Sequence, residues 1–185
     1  WPDVDAFCDW LGRCGVTPTM QVVAYDAGDG AFAARLWWLL KTLGHRDVAV
    51  LDGGWARWSV LGLPANPAQP LVSPTHYHGA FDTDRLLDAP AVPRRLAAGD
   101  LLIDARAAER FRGEVEPIDR VAGHVPGASN RPYASNLSEG RFKSAPRLAQ
   151  EFAALLDGRD PQQVIAMCGS GVTACHHLLA MAHAG

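Results

Sequence analysis

The stretch that decides the fold is Val164-Ile165-Ala166-Met167-Cys168-Gly169-Ser170-Gly171-Val172-Thr173-Ala174-Cys175. Its four apolar residues predict a short strand that ends at a cysteine, and two glycines separate this strand from a helix predicted to begin at Val172. Such a loop directs backbone amides and the positive end of a helix dipole towards one atom. Because that field favours a thiolate over a thiol, we expect Cys168 to be a nucleophile rather than an inert side chain.

A similar pattern of strand, loop and helix occurs near the start of the chain. Residues 21–25 predict a strand, 31–43 a helix and 47–51 a second strand. Apolar strands that alternate with helices are typical of a parallel sheet covered by helices. The residue at the end of the first strand is Asp26, which cannot act as a sulfur nucleophile. If the two modules are duplicates, only the second is catalytic; from the pattern alone, two unrelated units of strand and helix would look the same.

The middle of the chain changes character. Residues 62–80 contain four prolines, which interrupt any regular element and predict a linker. The alternation of elements resumes after it, with a strand at 101–104, a short helix at 107–112, a very short strand at 128–130 and an amphipathic helix at 146–156.

Composition and charge exclude some classes of function. The 185 residues are 48% hydrophobic and 20% charged, as in an ordinary soluble globular protein. A net charge of -3 without a basic stripe indicates no nucleic-acid partner, and no apolar run approaches the roughly 20 residues that span a bilayer. The four cysteines form no CxxC pair, so we expect a reducing, cytoplasmic location and neither a metal site nor another cofactor. Cys8 and Cys14 are expected to be small, partly buried hydrophobic residues.

Several motifs resemble the catalytic domain of two-domain rhodanese-type sulfurtransferases. They are Asp104-Ala105-Arg106 with Arg110-Phe111, Gly123-His124-Val125-Pro126-Gly127-Ala128 with Asn130, and the loop Cys168 to Ala174. A second set resembles the later half of the same family's inactive N-terminal domain: Tyr25-Asp26, Arg35 with Trp37-Trp38, Gly44-His45 and Leu51-Asp52-Gly53-Gly54. The resemblance implies an α/β fold with tandem rhodanese-like domains, each a mainly parallel sheet flanked by helices.

The resemblance also implies a division of the chain. Residues 1–63 correspond to the C-terminal half of the inactive N-terminal domain, 64–80 to a Pro-rich linker, and 81–185 to the catalytic domain without its last strand and helix. On this comparison we expect the chain to be truncated at both ends.

The family carries sulfur as a persulfide on its active cysteine, which by position is Cys168. The backbone amides of the following loop would hold the persulfide; these belong to Gly169, Ser170, Gly171, Val172 and Thr173. Arg110 matches the family's substrate-anion arginine, and Arg120 lies close to a second one in a loop of different length. Arg106 is expected to form a structural ion pair, with Asp104 or Glu109 as its partner.

The loop also bears on the sulfur donor. Family members that use thiosulfate tend to carry basic residues just after the cysteine, whereas Gly169 and Ser170 are neutral and the loop resembles that of 3-mercaptopyruvate sulfurtransferases. The resemblance therefore favours 3-mercaptopyruvate over thiosulfate as the small donor. The acceptor would be cyanide or a thiol, with a thioredoxin-like protein as one candidate.

Two other functions are alternatives to sulfur transfer. A non-catalytic rhodanese-like binding or sulfur-relay module would keep the same cysteine, so the sequence leaves it open. A cysteine phosphatase needs an arginine six residues after the cysteine to bind phosphate, and that position is Ala174. Of the remaining candidates, Cys175 is expected to pack in the core, His176 and His177 lack further metal ligands nearby, and His124 is expected to fix a turn.

Overall fold

The computed structural model describes residues 1–185, which form two halves that each contain a parallel sheet. In the first half the elements are α1 (Val4–Arg13), β1 (Val22–Ala24), α2 (Ala31–Thr42), β2 (Val48–Val50) and α3 (Gly54–Val60). The α1 helix begins after Asp3, whose side chain accepts a hydrogen bond from the Ala6 amide at 2.9 Å. Strands β1 and β2 pair in parallel, with Val22 opposite Val48.

The second half is built on three parallel strands. Its α-helices and strands are α4 (Val92–Ala97), β3 (Leu101–Asp104), α5 (Ala108–Phe111), β4 (Ser129–Asn130), β5 (Leu137–Ser138), β6 (Arg141–Phe142), α6 (Ala145–Leu156), β7 (Val164–Met167) and α7 (Val172–Ala184). The order across the sheet is β4-β3-β7, so the fully buried β3 lies in the centre. Helices α6 and α7 pack on each other through a small cluster of Leu148, Phe152 and Ala180.

The core of the first half includes part of the Pro-rich stretch. Tyr77 is buried against residues of α1 and α2, and its hydroxyl lies 2.9 Å from the buried His45 ring. The Thr75 amide donates to the Gly12 carbonyl at 2.8 Å, and the Asp82 amide donates to Thr42 at the same distance. Residues 64–80 form no helix or strand, but their later part is packed along the first half of the protein.

Most predicted elements are confirmed, with ends that differ by a few residues. One prediction is wrong, and one feature was not predicted. Cys14 is exposed because it caps the C-terminal end of α1, whereas Cys8 is buried as expected. The antiparallel hairpin of β5 and β6, with Leu137 opposite Phe142, was not predicted. None of the helices combines the length and the apolar character that crossing a membrane requires.

The hairpin joins the two halves. Its Arg141 Nε donates to the Asp52 carboxylate at 2.7 Å, and the Phe142 amide donates to the same carboxylate at 2.9 Å. Nearby, the Tyr133 hydroxyl donates to Asp29 at 2.5 Å. That hydrogen bond and burial raise the pKa of Tyr133 to about 12. Helix α2 of the first half therefore lies beside α7 of the second, which carries the end of the cysteine loop.

Candidate active site

Cys168 lies directly beyond the carboxyl end of β7. Met167 is opposite Asp104 of the central strand, and the Ala105 amide donates to the Met167 carbonyl at 2.9 Å. The chain then turns through three residues into α7. Its N-cap, Gly171, donates its backbone amide to the Cys168 sulfur at 2.9 Å. The sulfur therefore lies at a helix N-terminus. Because the cysteine is only half-buried, a small molecule can approach it.

The backbone of Gly171 connects this sulfur to the other half of the protein. Its carbonyl accepts a hydrogen bond from the Arg35 guanidinium at 3.4 Å and from the Cys175 thiol at 3.0 Å. Gly171 has a φ of +76°, and an added Cβ would lie 3.1 Å from Arg35 Nη1. The backbone conformation therefore favours glycine at this position, and the Arg35 side chain would have to shift by a few tenths of an ångström to make room for a Cβ.

Cys175 has a different environment from Cys168. Burial raises the pKa of the Cys175 thiol, even though the nearby Arg35 charge opposes that effect. The thiol also donates its proton to a carbonyl within its own helix. Cys175 is therefore a packed, protonated side chain, in agreement with the expectation from the sequence.

The two arginines of the predicted site have separate roles. Arg106 is buried, and its guanidinium donates to Asp104 at 2.7 Å and to the Gly123 carbonyl at 2.7 Å. It has no free edge for a ligand, so it fixes the loop that follows β3. Its shortest ion pair is with Asp104, one of the two expected candidates, and it also pairs with Glu116 and Asp119. The other expected candidate, Glu109, makes no ion pair.

Arg110 faces the cysteine loop. Its Nη2 atom lies 3.8 Å from the position that a Cβ would take at Gly169. The same nitrogen donates a hydrogen bond to the Glu116 carboxylate at 2.7 Å. The hydrogen bond from Arg110, followed by one from the Asp119 amide, lowers the pKa of Glu116 to about 2. The Gly169 side of the cysteine loop therefore has the Arg110 guanidinium beside it, held in place by a charged carboxylate, while the Arg35 guanidinium approaches the loop at the Gly171 carbonyl.

The structure places Asp119, rather than Arg120, against the loop. An Asp119 carboxylate oxygen lies 3.4 Å from the Cβ position at Gly169 and 3.0 Å from Arg110 Nη2. Arg120 is exposed and makes neither an ion pair nor a side-chain hydrogen bond. Its role as a second donor-binding arginine stays a prediction.

The remaining predicted residues line or follow the turn. Gly169 and Ser170 are exposed beside Cys168, while Val172 and Thr173 begin α7. Ala174 is buried, at the position where a phosphatase would carry its phosphate-binding arginine. Asp119 and Arg35 were not predicted as site residues. No local pattern could have found them, since each reaches the loop from a segment at least 49 residues away in sequence (168 to 119).

Comparisons with known proteins agree with this architecture. Residues 3–61 and 88–185 match the family described as Rhodanese-like domain. The chain belongs to the rhodanese-like domain family. It is 51% identical to a probable 3-mercaptopyruvate sulfurtransferase of Pseudomonas aeruginosa, over all of this chain and 66% of that protein. It is 36% identical to a thiosulfate sulfurtransferase of Gallus gallus, over 97% of this chain and 63% of the other.

A solved structure has the same fold. The 3-mercaptopyruvate sulfotransferase SseA from Escherichia coli superposes with a TM-score of 0.84 at 32% identity, over 99% of this chain and 69% of that chain. The expected fold of two rhodanese-like segments, each with a parallel sheet flanked by helices, is thereby confirmed. The chain spans slightly less than two thirds of the length of the curated relatives that it matches.

In the first rhodanese-like segment an aspartate takes the place of the cysteine. The Asp26 carboxylate accepts hydrogen bonds from the amides of Gly28, Gly30 and Ala33, each at 3.0 Å. The backbone amides of this loop after β1 therefore bind the negatively charged side chain of Asp26. It shows that a strand-to-helix turn in this fold can surround a negative group with backbone donors.

The buried histidines of α7 belong to the packing of the rhodanese fold. Asn136 donates one amide hydrogen to each ring, at 2.9 Å to His176 Nδ1 and 3.0 Å to His177 Nδ1. The opposite nitrogens lie 3.2 Å from the Asp29 carbonyl and 2.6 Å from the Arg131 carbonyl. All four ring nitrogens are engaged, which leaves both rings neutral. His124, as expected, fixes a turn: its Nδ1 lies 2.7 Å from the Phe111 carbonyl.

Proposed function

We propose that this protein is a sulfurtransferase that carries sulfur as a persulfide on Cys168. The observation that supports this most is the geometry of one loop. The cysteine sulfur accepts the Gly171 amide at 2.9 Å at the start of α7, and the Arg110 guanidinium lies beside Gly169. Backbone donors favour a negative sulfur, and the guanidinium favours an anionic donor next to it.

The proposed reaction has two half-reactions. With 3-mercaptopyruvate, the Cys168 thiolate attacks the donor sulfur, an S–S bond forms and the donor's C–S bond breaks. The leaving pyruvate enolate takes up a proton, and the terminal sulfur remains on the cysteine as a persulfide. Cyanide or a thiol then attacks that terminal sulfur and releases Cys168 as a thiolate. The amides that begin at Gly169 and run to Thr173 are proposed to hold the terminal sulfur, and the loop around Asp26 is a precedent within the same chain.

For the donor we propose 3-mercaptopyruvate in preference to thiosulfate. Gly169 and Ser170 add no positive charge to the loop. Arg110 is the guanidinium beside Gly169, whereas the Arg35 guanidinium donates to the Gly171 carbonyl. One guanidinium suits a single carboxylate, which it binds through two parallel hydrogen bonds. Relatives with both donor names are present, so the names alone do not decide between the two donors.

The remaining proposals concern acceptor and location. A thiol acceptor, such as a thioredoxin-like protein, and a cytoplasmic location both fit a chain whose four cysteines are all free.

Intact-mass measurement tests the central proposal. After incubation of the full-length protein with 3-mercaptopyruvate we expect a mass gain of one sulfur, which cyanide or dithiothreitol removes. Cys168→Ser should show no such gain, and Cys175→Ser, the buried control, should still show it. A gain that persists in Cys168→Ser would assign the persulfide to another residue. Loading without repeated turnover to thiocyanate would support a sulfur-relay module instead of an enzyme.

A further inference from the structure

The guanidinium of Arg110 has three groups of donors, and its neighbours use them unequally. Glu116 receives hydrogen bonds from Nε at 3.3 Å and from Nη2 at 2.7 Å. The second hydrogen of Nη2 goes to Asp119 at 3.0 Å, whereas Nη1 makes no hydrogen bond. A carboxylate that binds end-on needs one hydrogen from each of Nη1 and Nη2. Asp119 therefore occupies half of the edge that an anionic donor requires.

The two carboxylates differ in how firmly they are held. The Glu116 side chain is 5% exposed and also accepts the amides of Ile118 and Asp119, at 3.0 and 2.9 Å. The Asp119 side chain is 39% exposed, and the two arginines beside it are its only ionic partners, Arg106 at 3.6 Å being the more distant. Glu116 is thus a fixed part of the site. Asp119 can leave Arg110 at the cost of one partly solvated ion pair.

The position of Asp119 relates it to the donor. Its carboxylate lies 3.4 Å from the Cβ position of Gly169, the residue that follows Cys168. An anion that binds the end-on edge of Arg110 must displace this carboxylate, and it remains near the displaced charge afterwards. The electrostatic cost is proportional to the charge of the incoming anion.

We infer that Asp119 is a positioning residue that sets donor specificity: it is the exchangeable counter-ion of Arg110, and it discriminates against dianions. This inference rests on the proposed sulfurtransferase function, since it assigns a role within the same site. A monoanionic donor replaces Asp119 with one carboxylate. A dianion such as thiosulfate meets twice the repulsion from the displaced side chain, in a loop where Gly169 and Ser170 offer no compensating charge.

The test uses Asp119→Asn, which keeps the size of the side chain and removes its charge. Calorimetric titration with two unreactive anions, pyruvate as the monoanion and sulfate as the dianion, measures binding without turnover. If the neutral side chain tightens pyruvate about threefold, sulfate should tighten about tenfold, because a doubled charge squares the factor. In steady-state assays, KM for both donors should fall while kcat changes little, with the larger fall for thiosulfate.

Glu114→Gln is the matched control. Glu114 lies in the same loop and carries the same charge, but it pairs with the exposed Arg112 at 2.7 Å. Removal of its charge should leave both anion affinities within about twofold of the original values. Asp119→Ala should behave like Asp119→Asn, with melting temperatures that show both variants to be folded.

The outcomes separate this inference from the proposed function. If pyruvate and sulfate bind Asp119→Asn as they bind the unchanged protein, or if both tighten equally, the inference is overturned, whatever the persulfide mass shows. If the anions respond as expected but no persulfide forms on the unchanged protein, sulfur transfer is refuted, and with it the donor role of Asp119. The two expected affinities together with the persulfide support both.

Discussion

At the scale of single residues, Gly171 is a position where substitution should affect both stability and the reactive sulfur. We expect Gly171→Ala to cost about 1–2 kcal/mol of stability because an alanine is strained at φ +76°. It should also slow alkylation and sulfur loading of Cys168, since the new Cβ would lie 3.1 Å from Arg35 Nη1 and displace the amide that faces the sulfur. Rates of iodoacetamide modification and thermal melting measure the two effects.

Gly158→Ala provides the control for this substitution. Gly158 also has a positive φ, +82°, but an added Cβ would have nothing within 4 Å. It should lose a similar amount of stability and keep the reactivity of Cys168. Equal reactivity in the two alanine variants would show that the Gly171 amide does not control the sulfur.

Arg110 is the residue proposed to bind the donor. Arg110→Ala should lower kcat/KM for 3-mercaptopyruvate about tenfold to several hundredfold or more, since one or two charge-assisted hydrogen bonds of about 1.5–3 kcal/mol each are lost. Arg112→Ala, two residues further on, removes only the exposed pair with Glu114 and should retain normal kinetics. Normal kinetics in Arg110→Ala together with a defect in Arg120→Ala would move the assignment to Arg120.

The sequence is most informative about single residues where chemistry and local spacing coincide. Cys168 is predicted as the nucleophile because a strand, two glycines and a helix surround it. Arg110 is assigned to the donor through the family resemblance, and the ion pair expected of Arg106 is present with Asp104. Asp119 was missed because its role depends on a loop that folds back over Gly169. Periodicity describes helices and strands, but it carries no information about how such a loop folds.

At the scale of elements, α7 couples the cysteine loop to a buried polar cluster. Burial is the main cause that lowers the pKa of His177 to about 4, and it also lowers the pKa of His176. Protonation of either ring would place an N–H against the amide hydrogens of Asn136. Both rings are therefore neutral in the folded protein at neutral pH.

This predicts an acid-sensitive stability. The unfolded chain binds a proton at His177 below about pH 6.5, while the folded protein resists it down to about pH 4. The free energy of unfolding should therefore have its full value above pH 6.5. Below that pH it should fall by about 1.4 kcal/mol per pH unit, or about 3 kcal/mol in total by pH 4. Urea denaturation across this range measures the slope. His177→Gln, which can keep both hydrogen bonds, should reduce it, and an unchanged slope would assign the effect to other groups.

Elements were predictable from sequence when they were long enough to show a period. Helices α2 and α6 and the buried strand β3 agree with prediction to within a few residues at each end, and α7 begins at Val172 as predicted. The β5–β6 hairpin has two residues in each strand, too few for alternation to be visible. The packing of Tyr77 was hidden by surrounding prolines, which indicate irregular backbone but not whether that backbone is packed.

At the scale of the whole molecule, the two halves are joined by polar contacts between distant segments. Tyr133 to Asp29 and Arg141 to Asp52 link the second sheet's loops to those of the first. The family resemblance predicted two rhodanese-like segments in the correct order. It could not predict that Arg35, on a helix of the segment that lacks the cysteine, donates to the carbonyl of Gly171. That contact exists only once the halves are docked.

The backbone N–H of Gly171 therefore faces the reactive sulfur, and the carbonyl of the same residue faces Arg35 of the opposite half. Thermodynamic linkage makes such an arrangement reciprocal: if docking of the halves favours a negative sulfur, then a negative sulfur favours docking. At a pH where Cys168 is a thiolate, the unchanged protein should melt at a higher temperature than Cys168→Ser, whose side chain is neutral. Arg35→Ala should abolish the difference, and a difference that survives would place the coupling elsewhere. Charge on the reactive sulfur would then also strengthen the association of the two halves.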